Sequence, residues 1–190
     1  MKQKAFTLIE ALLVVSLISL IGLALFHTFS DGMKVWDKSK RLSLEEDIAI
    51  FWDKIGYDLQ NSFAYSQLPF HGEETRLHFA TRVNLLSNDN NQSIQQIGQV
   101  EYVFDPARQA VYRRQANYGQ ALKNNFSTER LLVRQVHSLR FLYYYKEGTD
   151  FVFRNKIENT IPRAVSVELE YTDSWGQRSL KKLINLFNGT

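Results

Sequence analysis

The stretch FTLIEALLVVSLISLIGLALF, residues 6–26, holds a single charged side chain, Glu10, in 21 positions. About 20 apolar residues in a helix cross a hydrocarbon core of ~30 Å, and the rest of the chain has no second run of this kind. The residues before it, MKQKA, carry Lys2 and Lys4 and no acid. Positive residues hold their end of a span in the cytoplasm, so everything after the span is expected on the periplasmic or extracellular side. A secretory signal peptide has a shorter apolar core and a small-residue cleavage site, and His27-Thr28-Phe29-Ser30-Asp31 is no such site. A plain single-pass anchor fits the length but gives Glu10 no reason to be there. An acid at the centre of a spanning helix costs about 2.5–3.5 kcal/mol unless it is paired. Glu10 is therefore a candidate functional residue.

Outside this run the composition is that of a folded chain. Across 190 residues it is 44% hydrophobic and 13% aromatic, which separates it from disordered sequences. There is no cysteine, which excludes disulfides, thiolate zinc sites and cysteine nucleophiles. A net charge of +3 is a weak field for holding nucleic acid. The charge is unevenly placed. Residues 31–75 hold 5 Lys/Arg and 9 Asp/Glu, net −4, whereas residues 101–190 hold 14 and 9, net +5.

The helix is expected to run on past the span. No proline occurs before Pro69, and apolar residues recur at Leu44, Ile48, Phe51 or Trp52, Ile55 and Leu59. Steps of three and four place these on one helical face. Glu45, Glu46, Asp47, Asp53, Lys54 and Asp58 are expected on the wet faces. A helix from Phe6 to about residue 61 would be roughly 84 Å long at ~1.5 Å per residue. From Thr75 the texture changes to short alternating strands. Expected strands cover 76–82, 100–104, 110–114, a long region 131–145, 151–154, 164–171 and 178–186. Val165, Val167, Leu169 and Tyr171 are expected to point inward. Asp105-Pro106-Ala107-Arg108 and Asp173-Ser174-Trp175-Gly176 read as turns. Segments 87–93 and 117–127 read as flexible loops. A long helix followed by antiparallel strands is an α+β fold.

Lys4-Ala5-Phe6-Thr7-Leu8-Ile9-Glu10, followed by the apolar run, resembles the class III signal of type IV prepilins and pseudopilins. The resemblance implies that a prepilin peptidase cuts between Ala5 and Phe6, that the new amino group of Phe6 is methylated, and that Glu10 is the acid at the fifth mature position. One departure is Ala5, where the family usually has Gly; Ala is the next smallest side chain, so cutting is expected to survive. The amine left on Phe6 lies four residues before Glu10, on nearly the same helix face. Glu10 pairs with that amine in its own chain or reaches the Phe6 amine of a neighbour, which makes it an assembly device.

The order of helix, LHFATR, VEYVFDPARQAVYRR, LVRQVHSLRFLYY, IPRAVSVELEY and a last turn and strand resembles the J-type minor pseudopilins of type II secretion systems. That likeness implies a pilin-like fold in three parts: a leader at residues 1–5, a transmembrane helix half at 6–29 and a periplasmic globular domain at 30–190, with the helix continuing to about 62. It implies a single-pass inner-membrane subunit at the pseudopilus tip that helps to start the filament and to export folded proteins. Its partners would be I-type and K-type minor pseudopilins, the major pseudopilin, the prepilin peptidase and membrane lipid. Minor pilins of type IV pili and competence pseudopilins share the N-terminus and are the nearest alternative.

Enzyme readings lack motifs: there is no HExxH, no Gly-rich phosphate loop and no G-x-S-x-G. No cofactor is implied. His71, His78, Glu73 and Glu74 read as solvated loop charges rather than a metal cluster. SNDNNQS lacks the D-x-D-x-D-G spacing of a calcium loop, and the sequons at Asn125 and Asn188 match readily by chance. A membrane-anchored nucleic-acid-binding module is a second alternative of a different class. It would use Arg108, Arg113, Arg114, Arg130, Arg134 and Arg140 with Tyr112, Tyr118 and residues 143–145 as a basic-aromatic face. Wet arginines and buried aromatics on alternating strands account for the same residues, so nucleic acid is the disfavoured partner. The charge asymmetry has another use: the acidic helix of one subunit meeting a basic sheet in the next.

Overall fold

A computed structural model describes residues 8–86, 93–126, 128–147, 150–173 and 176–187. Helix α1 runs Leu8–Gln60, 53 residues, through the isolated Gly22, Gly32 and Gly56. Its end agrees closely with the expected 61–62, and Asn61 closes it: backbone N–H and side-chain Nδ2 both donate to Tyr57 O, at 3.1 and 2.8 Å. The chain divides into two compact units, Met1–Ser43 and Leu44–Thr190. In the first, the apolar side chains of α1 lie open: Leu12, Leu17, Ile18, Leu20, Leu23 and Phe26 are all more than half exposed. Hydroxyls in this stretch are satisfied within the helix. Ser16 donates to Leu13 O, Ser19 to Val15 O and Thr28 to Ala24 O, at 2.8–2.9 Å, as a helix in lipid requires.

The second unit has its own core. Leu44, Ile48, Phe51, Ile55 and Leu59 form the buried face of α1, with Phe51, Ile55 and Leu59 fully buried. Each such side chain contributes about 1.5–3 kcal/mol. Of the two aromatic candidates Phe51 is the core residue, and Trp52 packs half-buried against it. Asp58 departs from the expected wet face: it is 1% exposed, because β-strand partners meet it there.

Among the described residues ten strands follow: β1 His71–Gly72, β2 Arg76–Leu86, β3 Ser93–Asp105, β4 Ala110–Asn117, β5 Thr128–Arg134, β6 Val136–Glu147, β7 Asp150–Arg154, β8 Ile157–Glu158, β9 Ala164–Asp173 and β10 Gly176–Asn185. They form a six-stranded sheet, β5-β4-β3-β2-β1-β8, and a four-stranded sheet, β10-β9-β6-β7. Every pairing among them is antiparallel. Inner faces of both sheets join α1 in one core. The architecture is α+β and pilin-like, as expected. Val165, Val167, Leu169 and Tyr171 are buried in that core.

Three expectations change. The single strand region 131–145 is two strands in different sheets, broken at Gln135, which holds φ 59°. That left-handed residue turns the chain from β5 into β6. The loop 117–127 contains helix α2, Tyr118–Ala121, closed by a capping box in which Asn117 Oδ1 accepts from Gln120 N while Gln120 Oε1 accepts from Asn117 N. The two-residue strands β1 and β8 carry too little pattern to be read from sequence. The turn after β3 forms as expected, with Asp105 Oδ1 accepting from the N–H of Ala107 and Arg108 at 2.9 and 3.1 Å. Most of 87–93 and the centre of the turn at 173–176 lie outside the described residues.

Candidate functional site

Glu10 lies in the first described turn of α1, solvent-exposed. Its neighbours Leu8, Ile9, Leu12 and Leu13 are 58–83% exposed. A carboxylate is thus placed on an uncovered hydrocarbon surface at the start of a helix. Leu8–Trp36 is long and apolar enough to cross a membrane, with none of its apolar stretch buried inside the chain. The apolar character of α1 carries on beyond residue 29, the expected end of the transmembrane half, through Met33, Val35 and Trp36. Ala5 and Phe6, the expected cleavage pair, lie outside the described residues, as does any pairing between the Phe6 amine and Glu10.

The basic-aromatic residues do not come together as one face. Arg113 is buried on the inner face of β4, where its Nε donates to Asp58 Oδ2 at 2.7 Å. Tyr102 OH donates to the same oxygen at 2.7 Å, and Lys54 approaches Oδ1 at 3.6 Å. Arg113 Nη1 reaches Gln115 Oε1 at 2.7 Å. Burial works against the Arg113 charge, and Asp58 together with Tyr102 more than offsets it, so the guanidinium pKa is raised. Burial pushes the Tyr102 phenol well above its usual value, and Asp58 adds to that. This network ties α1 to β3 and β4. Arg114, on the opposite face, pairs with Glu129 at 2.6 Å and Glu101 at 3.2 Å. Arg108 pairs with Asp105, and Arg140, in the other sheet, with Glu168. Arg130 and Arg134 are exposed on β5. Tyr143 is fully buried in the core, whereas Tyr144 lies on the outer face of the four-stranded sheet. Most of these cations are thus already matched by carboxylates.

His71 and His78 face each other across β1 and β2 with rings stacked, centroids 4.9 Å apart and planes at 18°. Parallel rings keep their nitrogen lone pairs from converging on one ion, and His71 Nε2 lies 3.4 Å from Glu73 Oε1. Among the described residues no group of three or more His, Asp or Glu is arranged to hold a metal. Register places these histidines in a row of titratable groups that crosses the whole sheet: Glu158, His71, His78, Glu101, Arg114 and Glu129. Sequence reading missed this row because it exists only once the strands are aligned. Asn125 is exposed, while Ser127, Asn188 and the calcium-like loop 87–92 lie outside the described residues.

Residues 1–26 match the family model described as the prokaryotic N-terminal methylation motif. No curated protein matches the chain. The motif is that of pilin and pseudopilin precursors, and together with the apolar helix Leu8–Trp36 it supports a single-pass, membrane-anchored, type IV pilin-like reading of the chain. It implies processing by a prepilin peptidase and assembly with other pilins. Families bearing this motif are structural rather than catalytic.

Proposed function

We propose that the chain is a J-type minor pseudopilin, a non-enzymatic subunit at the tip of a type II secretion pseudopilus. Residues 1–5 are its leader, and the peptidase cuts between Ala5 and Phe6 and methylates Phe6. Residues 6–29 are its transmembrane half in the inner membrane, and 30–190 its periplasmic domain. Glu10 is the assembly carboxylate. The observation that carries this reading is the continuity of α1, from a methylation-motif segment with uncovered apolar side chains to a helix whose other end organises a two-sheet head. An uncovered apolar helix has two stable surroundings, lipid or the packed helices of a filament. Exchange between the two is what a pseudopilus subunit undergoes when it leaves the membrane. Glu10 gives that exchange a register, since a carboxylate in an apolar bundle is stable only beside a cation, and the Phe6 amine of a neighbouring subunit supplies one.

The full-length protein, purified from its own cells after mild cross-linking, should bring down two other short-leader subunits, the I-type and K-type minor pseudopilins. Glu10→Leu should remain in the membrane and lose both. A Glu10→Leu chain that still copurifies with them contradicts the assembly role. Recovery of type IV pilus or DNA-uptake subunits in their place contradicts the secretion assignment.

A further inference from the structure

We propose that β7, an edge strand of the four-stranded sheet, takes up an extended segment of a partner protein as an added strand. The segment carries apolar side chains at alternate positions and acidic ones between them. A strand at a sheet edge leaves the N–H and C=O of every second residue unpaired, and folds protect such edges with charge or with shortness. The six-stranded sheet ends on β5 and β8, the four-stranded sheet on β10 and β7. Three of these edges are protected. β5 exposes Glu129, Arg130 and Arg134, β10 exposes Arg178, Lys181 and Lys182, and β8 is two residues long. The middle of β7 has no charge: Phe151, Val152 and Phe153 lie between Asp150 and Arg154. Phe151 and Phe153 are 64 and 53% exposed.

Register fixes the chemistry of each face. Phe153 lies opposite Tyr144 and Phe151 opposite Lys146, so both phenylalanines stand on the outer face, with the Phe153 and Tyr144 rings in edge contact. Val152 and Arg154 lie opposite Tyr145 and Tyr143, on the inner face. There Tyr145, Arg154, Lys156, Glu158 and Thr160 surround a cavity of about 340 Å³, with the buried Ile157 in its lining. The Tyr145 ring face carries the Arg154 guanidinium, 5.6 Å from the ring centre. Lys156 Nζ lies 2.9 Å from Glu158 Oε1. Two cations against one acid give this cavity a positive balance. Side chains of an added strand alternate between the same two faces. Those on the outer face continue the surface of Phe151 and Phe153 and are apolar. Those on the inner face reach the cavity, where a carboxylate meets Arg154 and Lys156. Main-chain hydrogen bonds supply affinity in this mode, and the alternate side chains supply specificity. The proposal does not depend on which filament the chain belongs to.

The probe is a fluorescein-labelled peptide of alternating valine and glutamate, titrated by anisotropy against the full-length protein in lipid nanodiscs. Saturable binding is expected, and a counterpart of alternating valine and lysine should not bind. N-methylation of one alternate set of the peptide's amides should abolish binding, and methylation of the other set should leave it unchanged, because only one set faces β7. Phe153→Lys puts a charge on the open edge and should abolish binding; Arg154→Glu should weaken it about tenfold or more. The methylated peptides are tested on the parent chain, so their result stands whether or not the variants fold. Tolerance of both methylated sets means that the peptide lodges on the phenylalanines without joining the sheet, as a helix would, and overturns the proposal. Equal affinity for the lysine peptide, or no saturable binding, overturns it as well.

Discussion

Asp58 is one carboxylate, 1% exposed, that accepts hydrogen bonds from the Arg113 guanidinium and the Tyr102 hydroxyl, both at 2.7 Å. Removing one member of such a buried pair leaves the other charged and unsolvated, a loss of about 3–5 kcal/mol. Asp58→Ala should therefore lower the unfolding free energy of the full-length protein in detergent by that amount, read by denaturant titration. Asp58→Leu combined with Arg113→Met removes both charges and should recover most of the loss. A single-variant loss below about 1 kcal/mol would show that water reaches the pair. Helical phase puts Asp58, seven residues after Phe51, at the edge of the core face and Asp53 on the far side, but an acid at that edge reads as wet until its partner is known. The difference is made by Arg113, 55 positions away, and depends on β3 and β4 lying where they do. Glu10 is the opposite case. Its cost stands out in the sequence at once, because an acid in an apolar run is costly unless a cation meets it, while the pairing that would use it is a proposal.

At the scale of elements, local alternation identified the larger strands, including β9 with Val165, Val167, Leu169 and Tyr171 inward. It could not show that β5 and β6 belong to different sheets, because both alternate and nothing longer than one residue separates them. Gln135 makes the break, with φ 59°. Left-handed backbone costs an L-residue with a β-branched side chain most. Gln135→Val should destabilise by about 1–2 kcal/mol, whereas Gln135→Gly should be neutral or mildly stabilising. Denaturant titration of the two variants decides this, and a Val variant as stable as the parent would mean that residue 135 relaxes without disturbing either sheet. Gly72 is a second such joint. A Cβ there would clash with the Tyr143 ring, so the absence of a side chain on β1 lets the ring close the gap and donate its OH to Glu73 O at 2.8 Å.

The whole molecule responds to pH and to processing. His78, stacked on His71 and near Arg76, Glu73 and Glu101, has its pKa lowered from 6.5 to about 4, chiefly by burial and then by the charge of His71. The unfolded chain therefore binds the proton first as pH falls. This contribution to stability is fully present above pH 6.5, is lost progressively between 6.5 and about 4, and changes no further below. Denaturation midpoints of the full-length protein should fall across that window, and His78→Gln should flatten the fall. An equally steep fall in the variant would assign it to the carboxylates instead. The proposed cut between Ala5 and Phe6 would change the charge as well: without Lys2 and Lys4 the net side-chain charge would go from +3 to +1, and part of the basic character would then belong to the signal and not to the working subunit. The central claim, that this is a processed pilin-like filament subunit, is tested most directly by mass spectrometry of the intact mature protein. A chain beginning at N-methylated Phe6 is predicted; a chain beginning at Met1, or near residue 30, would contradict it.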